Sequence, residues 1–358
     1  MRSPPDAQTS SADPGGAGKW LQLVDCLRCR AVNPLISPGA ESTHPKPNPP
    51  ETCRPAKIRP QVSERPEMTP RKIIGVYHSQ RIVRKHVDST SGQLNGFLVI
   101  PDSRCDTDPP FLCILVTTRH EQQDERAAIR ETWGKERRIG ERKICTYFLL
   151  GYDRARQSDI ERENHLHKDK IQSNFTDTNY NLTIKVLMGM EWVHLFCSSA
   201  VFVMKTDSDM FVNSNYLTQL LSAKNTHNFF SGVVFSNWGP IRDKNSKFYV
   251  SEEEYPHSKY PTFCSGTGYV FSGDLAREIW NISRDVPFLK LEDVFVGLCL
   301  AKFQVSPVSL SSRQVFSTGK VPFSVCRFRS IVTSHWVRPF ENRLYWKELE
   351  ESTREGCP

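Results

Sequence analysis

The chain has 358 residues, 24% of them charged, with a formal net charge of +7. That length holds one large domain or two ordinary ones around a buried core. Residues 1–85 carry 14 Lys and Arg against 7 Asp and Glu, whereas residues 86–358 carry 33 of each, so the later region is neutral and offers no basic patch for nucleic acid.

From the N-terminus, the first element is a leader over 1–90, rich in proline and basic residues. Thirteen of the 24 prolines precede residue 71, and such a composition has too little apolar surface to offset the entropy of ordering, which predicts disorder. Cys26 and Cys29 make a CxxC pair that no second pair or histidine pair completes, so zinc spacing is absent. No stretch reaches the ~18 apolar residues of a membrane helix, and Trp20–Val24, the nearest candidate, is far too short. A signal-peptide pattern is also missing from the leader.

A folded domain is expected over 97–358, starting near Gly96–Ile100. Phe111–Val116 is a continuous apolar run of buried-strand length, and Asp124–Trp133 has helical spacing of Ala127, Ala128, Ile129 and Trp133. Thr146–Gly151 reads as a second buried strand and Ser158–His167 as a charged helix. Leu182–Phe196 is a helix, Val201–Met204 a strand, and a helix runs through Tyr216 to Leu221. Strand and helix in alternation predict an α/β fold with a mostly parallel central sheet and flanking helices. In such sheets ligands bind at the carboxyl ends of the strands.

Four clusters carry candidate chemistry. Lys205-Thr206-Asp207-Ser208-Asp209 follows a predicted buried strand directly, and two carboxylates so spaced can share a hard divalent cation, Mg²⁺ or Mn²⁺, with a diphosphate. Glu292-Asp293 stands among apolar residues, where a carboxylate can be tuned as a general base; the plainer reading is a helix start. In Cys264-Ser265-Gly266-Thr267-Gly268 the glycines and small hydroxyls let backbone approach a sugar or phosphate, although a tight structural turn explains it equally well. Arg126 and Arg130 share a helix face at i, i+4, a fork for phosphate or uracil or else an ordinary surface helix. His335 follows an apolar pair late in the chain and by itself reads as structural.

Eight cysteines lie between Cys105 and Cys357, and together with the sequons at Asn174, Asn181 and Asn281 they indicate a disulfide-bonded protein of the secretory route. Cys105, Cys197, Cys264, Cys326 and Cys357 are the candidates for disulfides, with the pairing open. Cys113, Cys145 and Cys299 lie in apolar runs and read as buried thiols.

In this order, Arg126–Trp133, Phe148–Gly151, Tyr180–Lys185, Lys205–Asp209, Cys264–Tyr269 and Glu292–Gly297 resemble the β-1,3-glycosyltransferase family of animal Golgi enzymes, over about three quarters of the chain. Asp-Ser-Asp, rather than Asp-Asp-Asp, resembles the galactosyltransferase branch. The resemblance implies a GT-A fold, UDP-galactose as donor, Mn²⁺ or Mg²⁺ as cofactor, and inverting transfer to the 3-hydroxyl of a terminal N-acetylhexosamine, GlcNAc foremost, on a glycoprotein or glycolipid. It implies Asp293 as the base and Asp209 as the direct metal ligand. Asp207 would contact ribose or metal-bound water, and His335 would be a C-terminal metal ligand. Nucleotide contacts would come from Arg126, Arg130, Lys185, Ser265 and Gly266. It also implies a Golgi-membrane protein with an N-terminal anchor, which this sequence does not supply. Two stretches depart from the family pattern near the expected cleft, Ser236–Pro240 and Ser214-Asn215, and point to altered acceptor preference. The alternatives are a β-1,3-N-acetylglucosaminyltransferase and a non-catalytic lumenal carbohydrate-binding relative.

Overall fold

In a computed structural model of the chain, residues 96–352 and Cys357 are described; the expected leader over 1–90 lies outside the described residues. The central sheet has the strand order β1-β5-β4-β2-β6-β9-β8, with β3 added beside β4. Here β1 is Phe97–Val99, β2 Leu112–Thr117, β3 Arg137–Ile139, β4 Arg142–Tyr152, β5 Lys170–Thr176, β6 Phe202–Asp207, β8 Phe230–Phe235 and β9 Phe263–Ser272. The middle strands β5, β4, β2 and β6 run parallel, as the alternation of strand and helix predicts. Antiparallel strands flank them: β1 beside β5, and the β9–β8 pair beside β6.

Why β2 lies at the centre is visible in its six residues, all buried. Side chains alternate faces along a strand, so Leu112, Ile114 and Val116 enter one core while Cys113 and Leu115 enter the other. A strand that is apolar on both faces must be covered on both. Helix α1 (Gln123–Glu131) and helix α8 (Pro339–Glu351) pack together, with Ile129 and Trp346 in the first core; α3 (Leu182–Phe196), α5 (Asp274–Ile282) and α6 (Glu292–Lys302) belong to the second. Helix α3 contacts both sheet strands and α5, and it is apolar almost all round because nearly every face is covered. The remaining helices are α2 (Gln157–His167), α4 (Ser214–Leu221) and α7 (Val325–Arg329). Among the described residues no helix is long and apolar enough to cross a membrane.

The predicted helices fall within one or two residues of the observed ones, except that α1 stops at Glu131 and Trp133 lies beyond it, where its indole Nε1 donates to Asn342 Oδ1 at 3.2 Å. The Cys264–Gly268 stretch is not a tight turn. It lies inside β9, a ten-residue strand whose glycines allow close approach from neighbouring elements. Two disulfides form, Cys105–Cys197 and Cys326–Cys357, whereas Cys264 is a buried free thiol with Cys113, Cys145 and Cys299. The expectation of a bridge at Cys264 is therefore corrected: its strand position faces the second core, and burial pushes its thiol up to about 12.

Candidate active site

The site forms at the carboxyl end of β6. There Asp207 pairs in register with Thr117 at the end of β2, and the Thr117 hydroxyl donates to Asp207 Oδ1 at 2.7 Å. Strand β6 stops at Asp207, and the chain turns through Ser208 and Asp209 into the short strand β7 (Phe211–Val212). Strand β10 (Thr333–Ser334) pairs antiparallel with β7, Ser334 opposite Phe211. That register carries the next residue, His335, back to Asp209, and the Val337 N–H donates to the Asp209 carbonyl at 2.9 Å.

His335 Nε2 lies 3.2 Å from Asp209 Oδ2. Its other nitrogen, Nδ1, is 2.9 Å from the Thr318 carbonyl. A carbonyl can only accept, so Nδ1 is the protonated donor and Nε2 is turned toward Asp209. This is the arrangement in which a backbone acceptor fixes the tautomer of a metal-binding histidine. Burial opposes the charge on both groups, yet their mutual hydrogen bond lowers the Asp209 carboxyl and raises His335. Asp209 and His335 thus fit a divalent cation as one oxygen and one nitrogen ligand. Among the described residues no group of three or more His, Cys, Asp and Glu side chains gathers around one point. Asp207 is therefore not drawn into a closed cage with the other two, and Oδ1, its inner oxygen, is held by Thr117 and Lys205.

Asp293 lies in the first turn of α6, so the helix-start reading is correct as far as it goes. The Gly266 N–H donates to Asp293 Oδ2 at 3.0 Å, and the Val294 N–H donates to Oδ1 at 2.9 Å. Each oxygen keeps a further lone pair. Burial raises the Asp293 carboxyl above its ordinary value, while the backbone donors pull the other way. A Cβ on Gly266 would stand 2.7 Å from Glu292 Oε1 and 3.4 Å from Asp293 Oδ2, so only glycine lets β9 approach α6 this closely.

The pattern in the sequence did not single out Lys205. It points to the same side of β6 as Val203, into the core that includes α6, and is 1% exposed. Its ammonium donates to Asp207 Oδ1 at 2.8 Å, to Glu292 Oε1 at 3.0 Å, and to the Gly266 carbonyl. Glu292 takes a further hydrogen bond at Oε2 from the Tyr269 hydroxyl, at 3.1 Å. Burial drives the Glu292 carboxyl up to about 7 despite the Lys205 charge. The signal was available: an ammonium on the inner face of a buried strand requires carboxylates, and the only acidic pair in an apolar setting was Glu292-Asp293.

Other expected contacts are rearranged. Arg126 and Arg130 do not make a free fork. Arg126 is 1% exposed and donates to Glu163, to Thr118 Oγ1 and to the carbonyls of Arg119 and His120. Arg130 is bound by Glu163 and Asp169. Both side chains are turned to internal partners, Glu163 of α2 and Asp169 just before β5, whose carboxylates satisfy them. Lys185 is likewise buried, donating to the Thr118 carbonyl and to Asp177 Oδ1, each at 2.6 Å. Arg126 and Lys185 thus shape the loop after β2 from below. Ser265 is buried in β9, its hydroxyl 3.1 Å from that of Thr267. His120, which the sequence did not flag, sits in that loop with Nδ1 at 3.6 Å from Asp177 and a buried Nε2 that has no partner. Of the two departures, Ser214 and Asn215 bind Arg137 at the start of α4, while Trp238 rests on Phe235 at 4.9 Å and remains 55% exposed.

The strand-end acidic motif, the histidine folded back onto it and the separate buried carboxylate are linked at the carboxyl end of β6, where α/β sheets bind their ligands. The family described as galactosyltransferase matches residues 124–311, and the chain belongs to that family. It is 52% identical over 266 residues to Beta-1,3-galactosyltransferase 5 of Homo sapiens, covering 74% of this chain and 86% of that protein. It is also 44% identical over 266 residues to Beta-1,3-galactosyltransferase 1 of Mus musculus, covering 73% and 80%, and 38% identical over 318 residues to the mouse Beta-1,3-galactosyltransferase 2, covering 85% and 75%. The overlap with solved structures is slight: the apo WbbM bifunctional glycosyltransferase overlays with a TM-score of 0.39 at 11% identity, covering 70% of this chain and 52% of that chain. The protein is a galactosyltransferase, and the expected β-1,3 branch agrees with its relatives.

Proposed function

We propose that the protein transfers galactose from UDP-galactose to the 3-hydroxyl of a terminal N-acetylhexosamine, GlcNAc foremost, in the Golgi lumen, with inversion at the anomeric carbon. The observation that carries this reading is the pairing of β7 with β10, which sets His335 Nε2 3.2 Å from Asp209 Oδ2 at the end of β6. Three relatives named as β-1,3-galactosyltransferases support the linkage and the sugar. The two disulfides and the exposed sequon residues Asn174 and Asn281 suit an oxidising lumenal compartment.

Asp209 and His335 would hold Mn²⁺ or Mg²⁺, which when bound supplies positive charge to the departing diphosphate. Asp207 keeps its inner oxygen on Thr117 and Lys205, and the outer oxygen then faces the ribose or a water. The acceptor hydroxyl oxygen forms a bond to the galactose anomeric carbon as the bond from that carbon to the UDP oxygen breaks. Asp293 takes the hydroxyl proton. Its two backbone donors hold the carboxylate in place, and its raised proton affinity makes it a stronger base than an exposed aspartate. Arg126 and Lys185 act through the loop at 118–120, which they hold by its carbonyls.

Asp293→Asn tests the assignment. It should lower transfer by roughly 1,000-fold, the middle of the range for general bases, while calorimetry finds UDP affinity unchanged. Full transfer by the variant would overturn the role.

A further inference from the structure

We infer that Lys205 is a positioning residue that sets the donor-side carboxylate Asp207 and the base Asp293 with one buried ammonium. The inference rests on the functional reading above.

A continuous series of contacts crosses the site. Thr117 and Lys205 both donate to Asp207 Oδ1, at 2.7 and 2.8 Å. The same ammonium donates to the Gly266 carbonyl, and the N–H of Gly266 donates to Asp293 Oδ2 at 3.0 Å. Gly266 is thus clamped at both ends, its carbonyl by Lys205 and its N–H by the base. The third ammonium proton goes to Glu292 Oε1 at 3.0 Å, and Tyr269 holds the other oxygen of that carboxylate. All three donors of a lysine are engaged.

This arrangement is more than a counter-ion for a buried acid. A buried ammonium must place all three donors, and the two that Glu292 does not take fall on Asp207 and on the Gly266 carbonyl, one at each end of the site. With glycine at 266 there is no side chain to lock β9 against α6, and Glu292 Oε1 already fills the space a Cβ would take. The peptide that enters Gly266 holds the Asp293 carboxylate and the peptide that leaves it is held by Lys205, so the ammonium acts on the base through the φ and ψ of Gly266, which no side chain restrains. Loss of the ammonium frees both ends of the site together, whereas loss of the Glu292 charge alone leaves the Asp207 and Gly266 contacts in place.

Lys205→Met and Glu292→Gln in the full chain, measured beside the unaltered protein, separate these roles. Folded protein is counted by circular dichroism, and transfer kinetics are expressed per folded molecule. Lys205→Met should lower kcat by roughly 100-fold, the scale of an ångström-sized misplacement, and raise the donor KM by roughly 10-fold as Asp207 loses its anchor. Glu292→Gln should lower kcat by no more than roughly 10-fold and leave the donor KM within about twofold. If Lys205→Met does not fold, the double variant Lys205→Met/Glu292→Gln removes the stranded acid with the ammonium and should show the same rise in donor KM. Normal kcat and donor KM per folded Lys205→Met molecule, or per folded double-variant molecule, would overturn the inference. A lack of galactose transfer by the unaltered protein would instead overturn the functional reading.

Discussion

On the proposed reading three side chains decide whether this site performs transfer, and each has a distinct expected loss. Asp209→Ala removes the oxygen partner of His335 and should abolish metal-dependent turnover; transfer that still responds to Mn²⁺ would contradict its role. His335→Ala should raise the Mn²⁺ concentration required by at least roughly 100-fold, the upper end of the loss seen when a group that only orients a ligand is removed, read from activity against metal concentration. Asp293 must be ionised to accept a proton, and burial raises its carboxyl above the ordinary 3.8. Activity should therefore fall as pH drops through that raised value, with no loss from this group on the alkaline side. A pH profile with an acid limb at or below 3.8 would contradict burial of the base. At this scale the sequence revealed the acidic groups but not their partners. Arg126 and Arg130 share a helix face, as their spacing requires, yet spacing says nothing of Glu163 and Asp169, which come from α2 and from just before β5 and claim both guanidiniums.

Among the elements, β9 and α6 bring the chemistry together. Gly266→Ala would place a methyl 2.7 Å from Glu292 Oε1, and the carboxylates at the head of α6 must move to admit it. Transfer should fall roughly 100-fold with little change in UDP affinity; an active Ala variant would show that this contact is not critical. Beneath the loop after β2, Glu163 is buried among Arg126, Arg130 and Lys170. Burial alone would raise its carboxyl, but the Arg126 hydrogen bonds and charge outweigh this and hold it at about 2. A depressed carboxyl contributes stability above its ordinary 4.5 that is lost as pH falls toward 2. Glu163→Ala leaves the buried Arg126 without its carboxylate, while Arg130 and Lys170 keep Asp169, and should cost about 3–5 kcal/mol, measured by thermal unfolding at neutral pH. Strands β2, β4 and β6 and helices α1 to α4 were legible because apolar runs of strand length and helical periodicity are local; β5, with its alternating polar residues, and α8 were not read. Strand β9 was not, because its functional half reads Cys-Ser-Gly-Thr-Gly, a composition that favours turns until pairing with β6 and β8 imposes extension.

Across the described structure, the carboxyl end of β6, the late β10 strand and the head of α6 converge from positions up to 128 residues apart, from Asp207 to His335. No local pattern could place His335 beside Asp209; only the β7–β10 pairing does so, which is why the histidine by itself read as structural. The Cys105–Cys197 bridge spans 92 residues and ties the loop before β2 to the end of α3. Replacing both cysteines by serine should cost about 2–5 kcal/mol, and an unchanged Tm would show that the tether does not hold the fold. The free Cys264 shows the limit of composition in the other direction: eight cysteines in the domain suggested five in bridges, but pairing needs two in reach of one another.

The most direct measurement is transfer by the chain secreted from animal cells behind a supplied signal sequence. UDP-galactose and a GlcNAc-terminated acceptor are offered with Mn²⁺ or with chelator, and the product linkage is read by NMR. The account predicts a β-1,3-linked galactose that forms with Mn²⁺ and is lost with chelator and in Asp293→Asn. Transfer of N-acetylglucosamine in place of galactose, or galactose transfer indifferent to chelator, would contradict it.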